Sequence, residues 1–79
     1  MENILLEYTK GSENYRKGVS SHLATQAING IMISSNCSEY DAIKFYVETL
    51  VLTLKGVTSY TFSWEDDDEF IHSMSKNLL

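Results

Sequence analysis

Seventy-nine residues suffice for one domain, residues 1–79, and for a thin core; at 43% hydrophobic, 11% aromatic and 22% charged, the composition excludes a disordered acidic tail. The formal net charge of −5 comes from one run, Glu65 to Glu69, because the six acids elsewhere match the six bases; that sign disfavours direct nucleic-acid binding and favours a basic protein partner. Cys37 has no mate for an intramolecular disulfide, no apolar run approaches the ~20 residues that span a bilayer, and no secretory leader is visible, so a soluble cytoplasmic protein is expected.

In chain order, residues 3–9 (NILLEYT) put Ile4, Leu6 and Tyr8 on one face of a strand, although a short helix ending at Gly11 fits the same residues. The glycine-bounded, polar GSENYRKG (11–18) reads as a loop. Residues 19–34 read as a helix. Val19, Leu23, Ala27 and Ile31 recur every four residues, beside the row Ala24, Ile28 and Met32. Gly30 inside that helix suggests close approach of another backbone, and GIMIS offers an alternative ending as strand. SSNCS (34–38) is a turn. Ser38 with Asp41 three residues later resembles a capping box that opens a helix over 38–55. Ile43, Tyr46, Val47, Leu50, Val51 and Leu54 follow at helical spacing, and Gly56 stops the helix. Its apolar face is so wide that it is either central or meets a second copy.

VTSYTFSW (57–64) alternates, with Tyr60, Phe62 and Trp64 on one side and Val57, Ser59, Thr61 and Ser63 on the other. A strand needs a partner; residues 3–9 or a symmetry mate would serve. From about 66 to 77, Phe70, Ile71, Met74 and Leu78 form a narrow stripe that predicts a C-terminal helix. The acids occupy its first turn, where they match the positive end of the helix dipole. The expected fold is therefore α+β: two short strands packed with a helical hairpin and a C-terminal acidic helix. An all-α bundle is the alternative.

Little of the chain supports catalysis. Asp68 and His72 would share a helix face with Asp67 or Glu65, but there is no second nearby His, Cys pair or calcium-type loop. Consecutive hydrated carboxylates lack the opposed environments that acid–base catalysis requires. No phosphate loop is present, and neither Cys37 nor His22 has an activating neighbour in sequence. A non-enzymatic protein with no cofactor and no metal is expected. The aromatic row Tyr60, Phe62 and Trp64 could stack bases, but the adjacent charge has the wrong sign.

This leaves Trp64 followed by Glu65, Asp66, Asp67, Asp68 and Glu69 as the candidate partner-binding residues. They form an aromatic anchor beside a charge density comparable to that of DNA phosphates, one per ~1.7 Å of duplex. Five acids exceed what one helix cap uses, since the dipole benefit fades beyond the first turn. WEDDDEFIHSM (64–74) resembles the acidic helix region of small type II-A anti-CRISPR proteins of Listeria prophages: an aromatic, a row of acids, then Phe and a later Met. That resemblance implies a phage-encoded inhibitor in the host cytoplasm, a DNA mimic whose acids at 65–69 occupy a basic, nucleic-acid-binding surface of a host defence protein. The rival expectation is a small regulatory homodimer associating through the apolar 38–55 helix.

Overall fold

The computed structural model describes all residues 1–79, in the order β1 (Glu2–Lys10), β2 (Glu13–Val19), α1 (Ser21–Ser35), α2 (Glu39–Thr53), β3 (Ser59–Glu65) and β4 (Ile71–Asn77). The fold is α+β, with four strands in one sheet and two helices. The strands pair antiparallel throughout in the order β2-β1-β3-β4. Residues 1–21 and 56–79 make one compact unit, the sheet; residues 22–55 make another, the helical hairpin.

The sheet overturns two sequence expectations. Residues 11–18 are not a loop. Gly11 and Ser12 alone separate β1 from β2, and Gly11 has φ 63°, which suits the first position of a two-residue hairpin turn. The remainder is an edge strand whose polar composition hides it from any search for apolar alternation. Nor is there a C-terminal acidic helix or a two-stranded sheet. Residues 71–77 pair with β3 from Ile71 opposite Glu65 to Asn77 opposite Ser59. Phe70, Ile71, Met74 and Leu78 imitate a helical stripe, but the operative period is two: His72, Met74 and Lys76 alternate with Ile71, Ser73, Ser75 and Asn77. The pairing decides the matter, because it moves the free edge of the sheet from β3, which carries the buried row Tyr60, Phe62 and Trp64, to the more exposed β4.

Residues 3–9 are strand, which excludes the all-α alternative. β1 is the central partner of β3, with Leu6 opposite Phe62 and Tyr8 opposite Tyr60. The pairing shifts between Glu2 and Leu5, where Asn3 takes φ 47°, a conformation asparagine tolerates better than most residues. One face of the sheet is apolar: Ile4, Leu6, Tyr60, Phe62 and Trp64 are buried, and Leu6 and Phe62 completely so. Tyr8 stacks on Tyr15 across the first hairpin at 5.2 Å. The opposite face is hydroxyl-rich, carrying Thr9, Ser59, Thr61, Ser63, Ser73 and Ser75.

In the hairpin unit, Ser38 caps α2, its Oγ accepting from the Asp41 N–H at 3.2 Å. Ala42, Ile43, Val47 and Val51 are buried along α2, and Ala24 and Ile28 along α1. Phe45 and Leu52 on α2 are exposed. Asn36, at φ 49°, follows α1, and Gly56 follows α2 at φ 84°. Gly30 marks no close approach: an added Cβ there would meet nothing within 4 Å. No helix is long and apolar enough to cross a membrane.

Candidate site at the acidic hairpin tip

The acidic run lies on the β3–β4 hairpin turn. Its backbone is organised by Asp66. The Asp66 N–H donates to the Phe70 carbonyl at 3.0 Å, and the Glu69 N–H donates to the Asp66 carbonyl at 3.0 Å. The Asp66 side chain repeats the pattern, its Oδ1 accepting from the N–H groups of Asp68 at 2.9 Å and Phe70 at 3.0 Å. An aspartate that bonds the backbone two residues on is an Asx turn, and it gives the chain a reason to reverse. The loop proper is Asp67–Asp68–Glu69, and Glu69 closes it at φ 65°. A three-residue hairpin loop ends in this left-handed conformation, where glycine is the unstrained choice.

The second Asp66 oxygen, Oδ2, meets His72 Nε2 at 2.7 Å. His72 in turn lies flat against Trp64, ring centroids 5.4 Å apart and planes 15° from parallel. Trp64, His72 and Asp66 thus brace the turn from the apolar face upward. The bond from His72, helped by the backbone N–H groups of Phe70 and Asp68, holds the Asp66 carboxyl below its ordinary value against a smaller desolvation effect.

The six candidate residues therefore divide. Trp64 is buried, with its ring against Phe62 at 5.7 Å as well as His72, and packs the strand instead of standing out as an anchor. Asp66 is committed to the turn. Asp67, Asp68 and Glu69 are exposed, and Glu65 is half-buried at the end of β3. The Asp67 carboxylate has the Met1 amine 3.8 Å away, but its side chain is fully exposed, so this pair contributes little. His72 pairs with Asp66 and not with Asp68, as helical spacing had suggested, and no group of three or more His, Cys, Asp or Glu side chains is arranged to hold a metal ion.

Sequence reasoning missed one member of the site. Glu2 lies directly opposite Glu65 in the β1–β3 pairing. Side chains so placed have Cβ atoms about 5 Å apart, and like charges there are destabilising. Sixty-odd residues separate the two glutamates in the chain, so only the strand register reveals the pair. Glu2, Glu65, Asp67, Asp68 and Glu69 together make one end of the sheet acidic. No protein-family model, no curated protein and no solved structure matches the chain.

Proposed function

We propose that the acidic end of the sheet is a recognition surface for a basic protein surface, and that the protein acts without chemistry of its own, as an inhibitor that masks a nucleic-acid-binding groove. One observation carries this reading: three of the acids, Glu2, Glu65 and Glu69, sit where their residue type is disfavoured. Glu2 faces Glu65 across two strands, and Glu69 occupies a left-handed position that glycine would fill without strain. Strain at exposed, charged positions is the kind of outlier from which a functional hypothesis is properly drawn. Lys and Arg side chains suited to phosphate would accept these carboxylates through charge-assisted hydrogen bonds.

The resemblance of residues 64–74 to type II-A anti-CRISPR proteins fits this reading in charge but not in backbone, since the acids lie on a turn. In this proposal the target is a host defence protein and the site of action is the cytoplasm. The test is a pull-down from host lysate at low and high salt, with the wild-type chain and with Asp67→Lys, Asp68→Lys. A partner retained by wild type at low salt, and lost on charge reversal and at high salt, is the expected result. Equal capture in all four conditions would overturn the proposal.

A second reading, the regulatory homodimer through α2, draws on Phe45 and Leu52, which are exposed one heptad apart. Light scattering on Phe45→Lys, Leu52→Lys tests it, since dissociation of a dimer by that change is what it requires.

A further inference from the structure

We propose that β4 pairs with β4 of a second copy about a two-fold axis at Met74, joining two sheets into one of eight strands. β4 is an edge strand, and the phase of its free groups can be read from its ends. Phe70 accepts from the Asp66 N–H, and the Leu78 N–H donates to the Thr58 carbonyl at 2.8 Å. Even-numbered residues therefore direct their backbone groups at β3. Ile71, Ser73, Ser75 and Asn77 direct theirs outward. An antiparallel copy centred on Met74 sets Ser73 opposite Ser75 and Ile71 opposite Asn77, outward residue against outward residue, along the whole strand. Shifting the axis toward Ser75 would call on the N–H of Leu79, which is already held by the Asn77 side chain at 3.0 Å.

The side chains agree with that register. It brings Met74 against Met74, and Phe70 against Leu78, at the closer, non-hydrogen-bonded positions. Phe70 is 68% exposed and Leu78 42%, so each gains cover from the other. Charge fixes the direction. An antiparallel copy places the two acidic tips at opposite ends of the seam, with Lys76 of each strand opposite His72 of the other, whose ring carries the Asp66 carboxylate. A parallel copy would set tip beside tip. Sheets that avoid edge pairing use charge, proline or bulges at the edge; between Ile71 and Asn77 there is neither proline nor acid, the β3–β4 register is unbroken, and the one charge, Lys76, falls opposite His72 of the other copy in this register.

The test uses the full chain and light scattering across a wide concentration range. Ser73→Pro removes an outward N–H while sparing the ladder to β3, so the variant should keep its circular dichroism yet fall from twice the mass of the chain to that of one. Met74→Cys, in a Cys37→Ser background, should form an intermolecular disulfide on mild oxidation, whereas Lys17→Cys on the other edge should not. A wild-type monomer at every concentration, or a dimer that survives Ser73→Pro and fails to cross-link through position 74, would overturn the proposal. The second outcome would assign the interface elsewhere, α2 included.

Discussion

The two hairpins of the sheet solve the same problem with different chemistry. β1 and β2 are joined by Gly11–Ser12, with glycine at the positive φ, and the outer strand presents Glu13, Arg16 and Lys17. β3 and β4 are joined by Asp67–Asp68–Glu69, with glutamate at the positive φ, and the outer strand presents Ile71, serines, His72, Met74 and a single charge, Lys76. The first hairpin has an unstrained turn and an edge guarded by charge. The second has its charge concentrated in the turn, needs Asp66 and His72 to hold that turn, and leaves its edge with Lys76 as the one charge. A glycine in the turn and an aspartate beside it are thus alternative ways to reverse a strand.

The largest expected effect removes the packing that anchors the second hairpin. Phe62→Ala should cost about 3–5 kcal/mol, because a fully buried aromatic leaves a cavity. Tyr15→Ala, which removes a half-buried ring from the first hairpin, should cost about half as much or less. Chemical denaturation of both variants checks the ranking; equal losses would show that the two hairpins are anchored alike.

Next comes the brace. Asp66→Ala should lower the melting temperature, since the turn loses its Asx bonds and its link to His72. Asp66→Asn should lower it less, because an amide oxygen can still accept from the backbone. The sign of the pH effect follows from the Asp66 carboxyl lying below its ordinary value when folded. Its stabilisation is complete above the unfolded aspartate range and drains away as pH falls through the lowered folded value. Melts in acid should therefore converge for wild type and Asp66→Asn, and separate as pH rises past that range.

A smaller effect should come from exchanging the two turns' chemistry. Glu69→Gly relieves a left-handed residue and should stabilise the fold by about 1 kcal/mol, while Gly11→Ala should destabilise it by about as much. A Glu69→Gly variant that melts lower than wild type would mean that the glutamate side chain supports the turn. Smallest of all for stability is Asp67→Lys, Asp68→Lys. Both side chains are exposed, so the melting temperature should hardly move, whatever happens to partner capture.

How much of this was legible depended on burial. β3 declared itself through Tyr60, Phe62 and Trp64, because a central strand with one buried face must alternate. α2 declared itself through Ser38 and the Ile43, Val47 and Val51 spacing. β2 and β4 did not, because exposed edge strands are free to be polar and carry little apolar period; only the Gly11–Ser12 pair marked the first hairpin. The acids misled for a physical reason: carboxylates suit a helix start and, as Asp66 demonstrates, equally suit a tight turn. That the run was exposed and acidic could be read from composition. That Glu2 joins it could not, because the pair exists only through strand register. That Asp66 is spent on structure could not, because its bonds exist only once the turn has formed. Trp64, by contrast, belongs to the alternating row that declared β3 and is buried with it.

The seam between β1 and β3 has a consequence in time. Both β-hairpins and the helical hairpin join neighbours in sequence, and each can begin to form locally. The β1–β3 pairing, from Glu2 opposite Glu65 to Thr9 opposite Ser59, instead waits for the chain to return across some fifty residues. Closing that long loop is entropically the costly step, so it should set the folding rate. At its far end the hydroxyl of Thr9 meets those of Thr58 at 2.8 Å and Ser59 at 2.6 Å, a clasp where the chain re-enters the sheet. A weakened clasp would slow refolding of the whole sheet while leaving each hairpin as quick to form as before.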